Sequence, residues 1–260
     1  MLYSAISSSS TGIQAASSFL DVTSNNVANS STPGYKTAQI TFQDLLYTGA
    51  PAGATTQGVT PPGGIQIGNG VVVDSITGRF TQGGLEQSTG RFDLAITGEG
   101  FFSVTLPNGT TAYTRAGDFN IDNAGKLVTP EGYLLAGGIL IPPQTSSISV
   151  ASDGTVTALD SNGGAQVVGQ LTLTRFVNPG GLSRFGDNVF TATPASGTGV
   201  TDAPNANGLG TVSTGSLELS NVDVTSELVN LVIAQQAFQF NTQSLQIENQ
   251  VLQATTDLIR

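Results

Sequence analysis

The chain begins and ends with segments in which large apolar residues recur every seven positions. Near the N-terminus these residues are Ile6, Ile13, Leu20 and Val27, and near the C-terminus they are Leu231, Phe238, Leu245, Leu252 and Ile259. A seven-residue apolar period keeps one face of a helix turned toward a partner helix along its length. The pattern therefore predicts a helix at each end, packed in a coiled-coil-like manner on the other helix or on other subunits.

The N-terminal helix is predicted over residues 2–28. Small residues, Ser9, Ala16 and Thr23, alternate with its large apolar positions and would let a neighbouring helix approach closely. The helix should end at the run Asn29–Gly34, because the residue before a proline avoids the α region and a glycine follows.

The C-terminal helix is predicted to begin after Asp223, which can cap it, and to continue to Arg260. A second apolar seam follows its far side, at Ala237, Phe240, Ser244, Ile247, Val251, Ala254 and Leu258. Each large side chain left in water costs about 1.5–3 kcal/mol relative to burial. Since a lone pair of helices can bury only one face, we expect the second face to be buried between subunits.

From about residue 66 to 215, alternating apolar and polar positions with frequent turn signals predict antiparallel β-structure. The dipeptide Asn108-Gly109 predicts a two-residue hairpin turn. Residues 49–64, in contrast, are rich in Gly, Ala, Thr and Pro and carry no charge. The predicted class is α+β. Its expected parts are a helical assembly domain of residues 1–34 and 216–260, an extended connecting arm of residues 35–70, and a β-domain of residues 71–215.

The composition argues against several classes of function. Eight basic against 18 acidic residues give a net charge of −10, and the only lysines are Lys36 and Lys126, so binding to phosphate backbones is disfavoured. The chain has no His and no Cys, which excludes Ser-His-Asp and Cys-His catalysis and removes the usual zinc ligands. No run reaches the roughly 18 apolar residues of a membrane span. The N-terminus lacks the basic and apolar regions of a cleaved signal peptide.

Paired carboxylates are the one catalytic arrangement that the composition leaves open, although most of the acids stand singly at turns. The segment Asp118–Asn123 resembles a calcium loop but lacks the required Gly and Glu, so a β-turn is favoured. We therefore expect no catalytic, cofactor-binding or metal-binding residue. The pattern favours an assembly subunit, and a monomeric β-rich adhesin or carbohydrate-binding module is the alternative from another class.

Four stretches resemble signatures of the flagellar basal-body rod and hook family. They are residues 25–36, residues 93–102, residues 113–119 with 125–128, and residues 220–223 followed by 227–229. Together they span essentially the whole chain. The resemblance implies a structural subunit that polymerises into the tubular rod of the bacterial flagellar basal body. Length and the insert of residues 49–64 are most like distal rod members, and a proximal rod or hook-like paralogue is the alternative.

The resemblance also implies a location and partners. The terminal helices would form an inner layer around a central channel, the β-domain would lie outside, and the rod would span the periplasm and transmit torque from motor to hook. The implied partners are further copies of the chain, proximal rod proteins and hook protein as axial neighbours, the surrounding ring (bushing) proteins, the rod cap and the type III export apparatus. Export would occur without a cleaved signal peptide. Neither nucleic acid nor membrane insertion is expected.

The residues expected to form the assembly interface lie on the helix seams and in the turn after the first helix. They are Ile6, Ile13, Leu20, Asn26, Val27, Asn29, Pro33, Gly34, Tyr35, Leu231, Phe238, Phe240, Leu245, Ile247, Leu252 and Ile259.

Overall fold

The computed structural model describes residues 2–49, 66–160 and 163–258. They belong to two compact units. Unit 1 comprises Met1–Val27, Ala38–Thr77 and Asp223–Arg260, and unit 2 comprises Ala28–Thr37 and Gly78–Val222. Most of the uncharged segment of residues 49–64 lies outside the described residues, and so does Ile259.

Unit 1 contains both helices and two pairs of strands. Its elements are α1 (Leu2–Ala28), β1 (Ala38–Asp44), β2 (Thr48–Gly49), β3 (Gln66–Ile67), β4 (Val71–Gly78) and α2 (Val224–Leu258). Strand β1 pairs with β4, and β2 pairs with β3. The helix predicted over residues 2–28 is confirmed, and α2 begins directly after Asp223, as the capping pattern indicated.

Asp223 caps the first turn of α2. Its Oδ1 accepts a hydrogen bond from the Thr225 amide at 3.1 Å, and its Oδ2 accepts one from the Ser226 hydroxyl at 2.7 Å. The hydrogen bonds from Ser226 hold the pKa of the Asp223 carboxyl below its ordinary value of 3.8. Because the ionised carboxylate is the better acceptor and faces the positive end of the helix dipole, the cap is strongest when it is charged.

We expect this first turn to loosen in acid. Since the folded-state pKa of Asp223 lies below the unfolded value, its stabilising contribution is complete above about pH 3.8 and is lost as the pH falls through the lower, folded value. Amide hydrogen exchange at Thr225 and Ser226 should report the loss. Asp223→Asn keeps an acceptor oxygen that does not titrate and should show no such step. Loss of protection over the same pH range in both proteins would contradict the assignment.

Unit 2 is built from short strands. They are β5 (Leu85–Gln87), β6 (Leu94–Thr97), β7 (Phe101–Thr105), β8 (Thr111–Thr114), β9 (Asn120–Ile121), β10 (Leu127–Val128), β11 (Leu134–Leu135), β12 (Thr145–Val150), β13 (Thr155–Asp160), β14 (Ala165–Gln170), β15 (Leu173–Arg175), β16 (Ser183–Gly186), β17 (Val189–Thr191), β18 (Val200–Asp202), β19 (Thr211–Thr214) and β20 (Ser216–Glu218), with a 3-10 turn at Pro179–Gly181.

The strand pairings of unit 2 are antiparallel, as predicted. The largest sheet follows the order β16-β17-β8-β7-β11-β10-β9, with β15 pairing both β7 and β18. Strands β12, β13 and β14 form a second sheet. The last two strands pair with the first two, β19 with β6 and β20 with β5. The end of unit 2 is therefore joined to its beginning by backbone hydrogen bonds.

Two apolar clusters form the interior of unit 2. The larger one includes Phe102, Leu127 and Leu173, all nearly inaccessible to solvent. The smaller one is aromatic and contains Phe101 and Phe190, whose ring centroids lie 6.2 Å apart. Burial of side chains of this size contributes about 1.5–3 kcal/mol each, which makes these clusters the main source of stability in the unit.

The hairpin predicted at Asn108-Gly109 is present between β7 and β8, but its turn differs from the prediction. The Gly109 amide donates to the Leu106 carbonyl at 2.9 Å, so Pro107 and Asn108 occupy the two central positions. Pro107 favours this arrangement because its fixed φ suits the first central position of a type I turn. Gly109 follows in the left-handed region at φ 81°.

Candidate assembly surface

The helices α1 and α2 contact each other within unit 1 and run antiparallel. The Ser9 hydroxyl donates to Ser244 Oγ and to Glu248 Oε1, both at 3.2 Å. At the other end of α1, Asn26 Nδ2 donates to Glu227 Oε1 at 3.2 Å. The first turns of α1 therefore meet the second half of α2, and its last turn meets the start of α2.

The small residues of α1 form its buried face. Ser9, Ala16 and Thr23 are buried, as is Ala234 on α2. A β-carbon at Gly12 would lie 2.6 Å from Asn241 Oδ1, so any side chain there would displace that of Asn241. The large apolar residues expected at the interface remain half-buried in the single chain. They are Ile6, Ile13, Leu20, Val27, Leu231, Leu245 and Leu252.

Asn26 has a second role at the end of α1. Its Nδ2 donates to the Ala38 carbonyl and its Oδ1 accepts from the Ala38 amide, both at 2.9 Å. The side chain is buried and so connects the last turn of α1 to the first residue of β1. Asn29, which follows the helix, is half-buried and accepts the Thr32 amide at its carbonyl, 3.2 Å away.

A stripe of large apolar side chains is exposed on α2. Val229, Ile233, Phe240, Ile247 and Val251 are exposed by 55, 52, 69, 53 and 46%, respectively. At 3.6 residues per turn these five positions fall within a sector of roughly 40°, on a side of the helix turned away from Ala234. We call this set the outer stripe. Phe238, on the opposite side of α2, is also exposed, at 36%. Contiguous apolar surface of this kind is typical of a protein–protein contact.

Unit 1 also contains an open, largely apolar groove of about 410 Å³. Its walls include Ser8, Gly12, Ala15, Ala16, Phe19 and Phe42. The rings of Phe19 and Phe42 meet edge to face with centroids 6.2 Å apart. No charged residue lines it. We call it the helix groove.

Four predicted residues, Asn29, Pro33, Gly34 and Tyr35, lie in unit 2. The Pro33 carbonyl accepts from Asn188 Nδ2 at 2.7 Å, and the Gly34 amide donates to the Glu218 carbonyl at 2.7 Å. The Tyr35 ring is buried, with the Arg184 guanidinium 5.3 Å from its centroid. In the single chain these residues hold the turn in place.

Next to this turn lies a buried group of charges. Lys36 Nζ is 2.5 Å from Glu218 Oε1, and Arg115 Nη1 is 3.3 Å from Glu218 Oε2. The Gly83 amide donates to Glu218 Oε1 at 2.9 Å. The side chains of Lys36 and Glu218 are fully buried and that of Arg115 nearly so. We call Lys36, Arg115 and Glu218 the charge cluster.

Burial lowers the pKa of the Lys36 ammonium, and the neighbouring Glu218 carboxylate opposes that change. The same two influences act in the same order on the pKa of the Arg115 guanidinium. Two cations share one anion here, so the cluster depends on the Glu218 carboxylate. Sequence reasoning missed it, because its members stand in three separate stretches. The available signal was Lys36, a rare lysine directly after a predicted turn.

No helix in the described part of the chain is both long and apolar enough to cross a membrane. Within those same ranges, no three potential metal-ligating side chains come together.

Three flagellar protein families match separate parts of the chain. The flagella basal body rod protein family matches residues 6–36, and the D1 domain of flagellar hook protein FlgE/F/G matches residues 95–158. The C-terminal domain of flagellar basal body rod FlgEFG proteins matches residues 213–258. These ranges cover both helices and part of the β unit.

Full-length relatives agree with these matches. The flagellar basal-body rod protein FlgG of Caulobacter vibrioides is 39% identical over 258 residues, 98% of each chain. FlgG of Bacillus subtilis is 39% identical over 272 aligned positions, covering 100% of this chain and 98% of the relative. The hook protein FlgE of Escherichia coli is 38% identical over 117 residues, 45% of this chain and 29% of the relative. The chain therefore belongs to the flagellar basal-body rod and hook family, in which it is most like the FlgG rod proteins.

Proposed function

We propose that this chain is a structural subunit that polymerises into the rod of the bacterial flagellar basal body. The outer stripe supports this proposal most directly. Its five large apolar side chains are exposed on a helix whose other face already contacts α1. Polymerisation would remove them from water, and this burial would stabilise the polymer by about 25 cal/mol per Å² of apolar surface. The family comprises structural proteins, so the chain is not an enzyme, and the adhesin alternative has no support.

The finer proposal is a distal rod subunit. Residues 1–34 and 216–260 would form an inner helical layer around a central channel, with coiled-coil-like pairing of the seams. Residues 35–70 would form the connecting arm and residues 71–215 the outer β-domain. The close approach of α1 and α2 at Gly12 supports a dense inner layer. Interlocked helices of this kind would let a rod that spans the periplasm transmit torque to the hook.

The proposed partners follow the same arrangement. Further copies of the chain would lie above and below each subunit, and proximal rod and hook proteins would adjoin the two ends of the polymer. Similarity to a hook protein supports axial neighbours of that type. Ring proteins, a rod cap and the type III export apparatus complete the set, with export in the absence of a cleaved signal peptide. The assembly interface would use the seam residues, with Phe240 and Ile247 at its centre.

Two charges placed in the outer stripe test the proposal. In cells that lack their own copy of the gene, the wild-type chain should restore rods and swimming. The variant Phe240→Asp/Ile247→Asp should restore neither, because an unpaired charge cannot be buried in an apolar contact. Purified, it should keep the circular dichroism of the wild-type chain. Electron microscopy of basal bodies and swimming in soft agar supply the readouts.

The matched control places the same charges on the neighbouring, glutamine-rich side of α2. Gln239 and Gln246 are exposed, so Gln239→Glu/Gln246→Glu should leave rods intact. Rods of normal length from the Phe240→Asp/Ile247→Asp variant would refute the proposed role of the outer stripe.

A further inference from the structure

We propose that the outer stripe of one copy docks into the helix groove of the next copy, with Phe240 as the side chain that enters it. This inference rests on the proposed function and specifies the contact through which the polymer grows. Both surfaces belong to unit 1 of the same chain. They are different patches. The outer stripe lies on one side of α2, whereas the groove is lined by α1, by Phe42, Gly70 and Val71, and by Ala237 and Asn241 on another side of α2.

The groove has the composition of a receptor for a large apolar side chain. Gly12, Ala15 and Ala16 line it with small groups, and Phe19 and Phe42 add two aromatic rings. At about 410 Å³ it can hold a ring and part of its neighbours. Phe240 is the largest and most exposed member of the outer stripe. Aromatic rings meet favourably edge to face, so Phe19 and Phe42 suit an incoming ring.

Charge indicates that the occupant is a second copy of this chain. The chain carries a net charge of −10, so two copies repel each other over most of their surface. The segment Leu228–Ile247, which holds most of the outer stripe, contains no charged residue, and Asp21 is the only one in α1. The two surfaces can therefore meet without like-charge repulsion. A strongly charged partner would find no complementary group on either of them.

The two patches also predict the kind of assembly. A contact between two copies of the same patch closes as a dimer. A contact between different patches leaves a free groove at one end and a free stripe at the other, so each addition creates the site for the next. Repeated by rotation and rise, it generates an open helical filament.

Cysteine cross-linking tests the contact cleanly, because the chain has no cysteine of its own. Ser8 lies at the groove, and Gln236 is exposed one turn before Phe240 on the side of the outer stripe. Assembled rods of Ser8→Cys/Gln236→Cys, treated with a short bismaleimide, should give a ladder of covalent multimers. Either single-cysteine variant should stop at dimers. The matched control is Ser8→Cys/Gln235→Cys, whose second position is turned by about 100° around the helix and should give several-fold less ladder.

The outcomes separate the two proposals. A ladder confined to the Ser8→Cys/Gln236→Cys pair supports the docking. Rods that form normally but yield no ladder, or an equal ladder with Ser8→Cys/Gln235→Cys, overturn the docking and leave the rod function standing. If the wild-type chain forms no rods at all, the proposed function fails, and the docking fails with it.

Discussion

Replacement of Glu218 by glutamine is expected to lower the free energy of unfolding of the protein by about 3–5 kcal/mol, the usual consequence of removing one partner from a buried ion pair. Lys36 and Arg115 would then lie buried without the carboxylate that both contact. Glutamine is nearly isosteric with glutamate, so packing changes little. The loss of stability therefore reports the removal of the negative charge. Equilibrium unfolding in urea, followed by circular dichroism, measures it.

The double variant Lys36→Met/Glu218→Gln provides the control. It removes one positive and one negative charge, so the net charge of the cluster stays at that of the wild-type protein. Its stability should lie between those of the wild type and of Glu218→Gln. If the free energy of unfolding of Glu218→Gln lies within about 0.5 kcal/mol of the wild-type value, the cluster does not stabilise unit 2. A difference of that size is the range of ordinary surface substitutions.

Replacement of Gly34 by alanine is expected to cost about 2–5 kcal/mol, from left-handed strain together with overpacking. Gly34 has φ 67°, and a β-carbon there would lie 2.4 Å from the Ala116 amide nitrogen. The obstructing atom belongs to the backbone and cannot move aside as a flexible side chain would. The turn 29–36 should shift, and thermal unfolding should begin at a lower temperature.

Gly138 separates the two contributions. Its φ of 62° is close to that of Gly34, but nothing lies within 4 Å of a β-carbon built there. Gly138→Ala should therefore cost only the strain, about 1–2 kcal/mol. Equal losses at both positions would show that the close approach to Ala116 does not matter.

The helices were predictable because their signals are local. The seven-residue apolar repeat of α1, the Pro33-Gly34 stop signal and the Asp223 cap can each be recognised from neighbouring residues. In the structure, α1 ends shortly before Pro33-Gly34 and α2 begins directly after Asp223. Antiparallel β-structure was predictable from alternation and turns. Which strands pair was not, because the pairing of β19 with β6 joins segments more than a hundred residues apart.

The candidate site was only partly predictable. Phe240 and Ile247 were found by helical spacing, and the structure leaves both exposed on one side of α2. In contrast, the contacts of Lys36 with Glu218, 182 residues away, follow from the closed fold of unit 2 and have no local signal. The burial of Ser9, Ala16 and Thr23 in place of the large apolar residues also depends on how closely the helices approach. Assignment of the seam residues to subunit contacts stays a prediction.

The order of the segments along the chain has a kinetic consequence. Unit 2 is inserted into unit 1, and the contact between Asn26 and Glu227 joins residues 201 positions apart. This contact becomes possible only when about the last seventh of the chain, which holds α2, is available. During synthesis, which proceeds from the N-terminus, α1 emerges early and waits without its partner. Completion of unit 1 would then mark the arrival of the whole chain, so that incomplete chains could not add to a growing polymer.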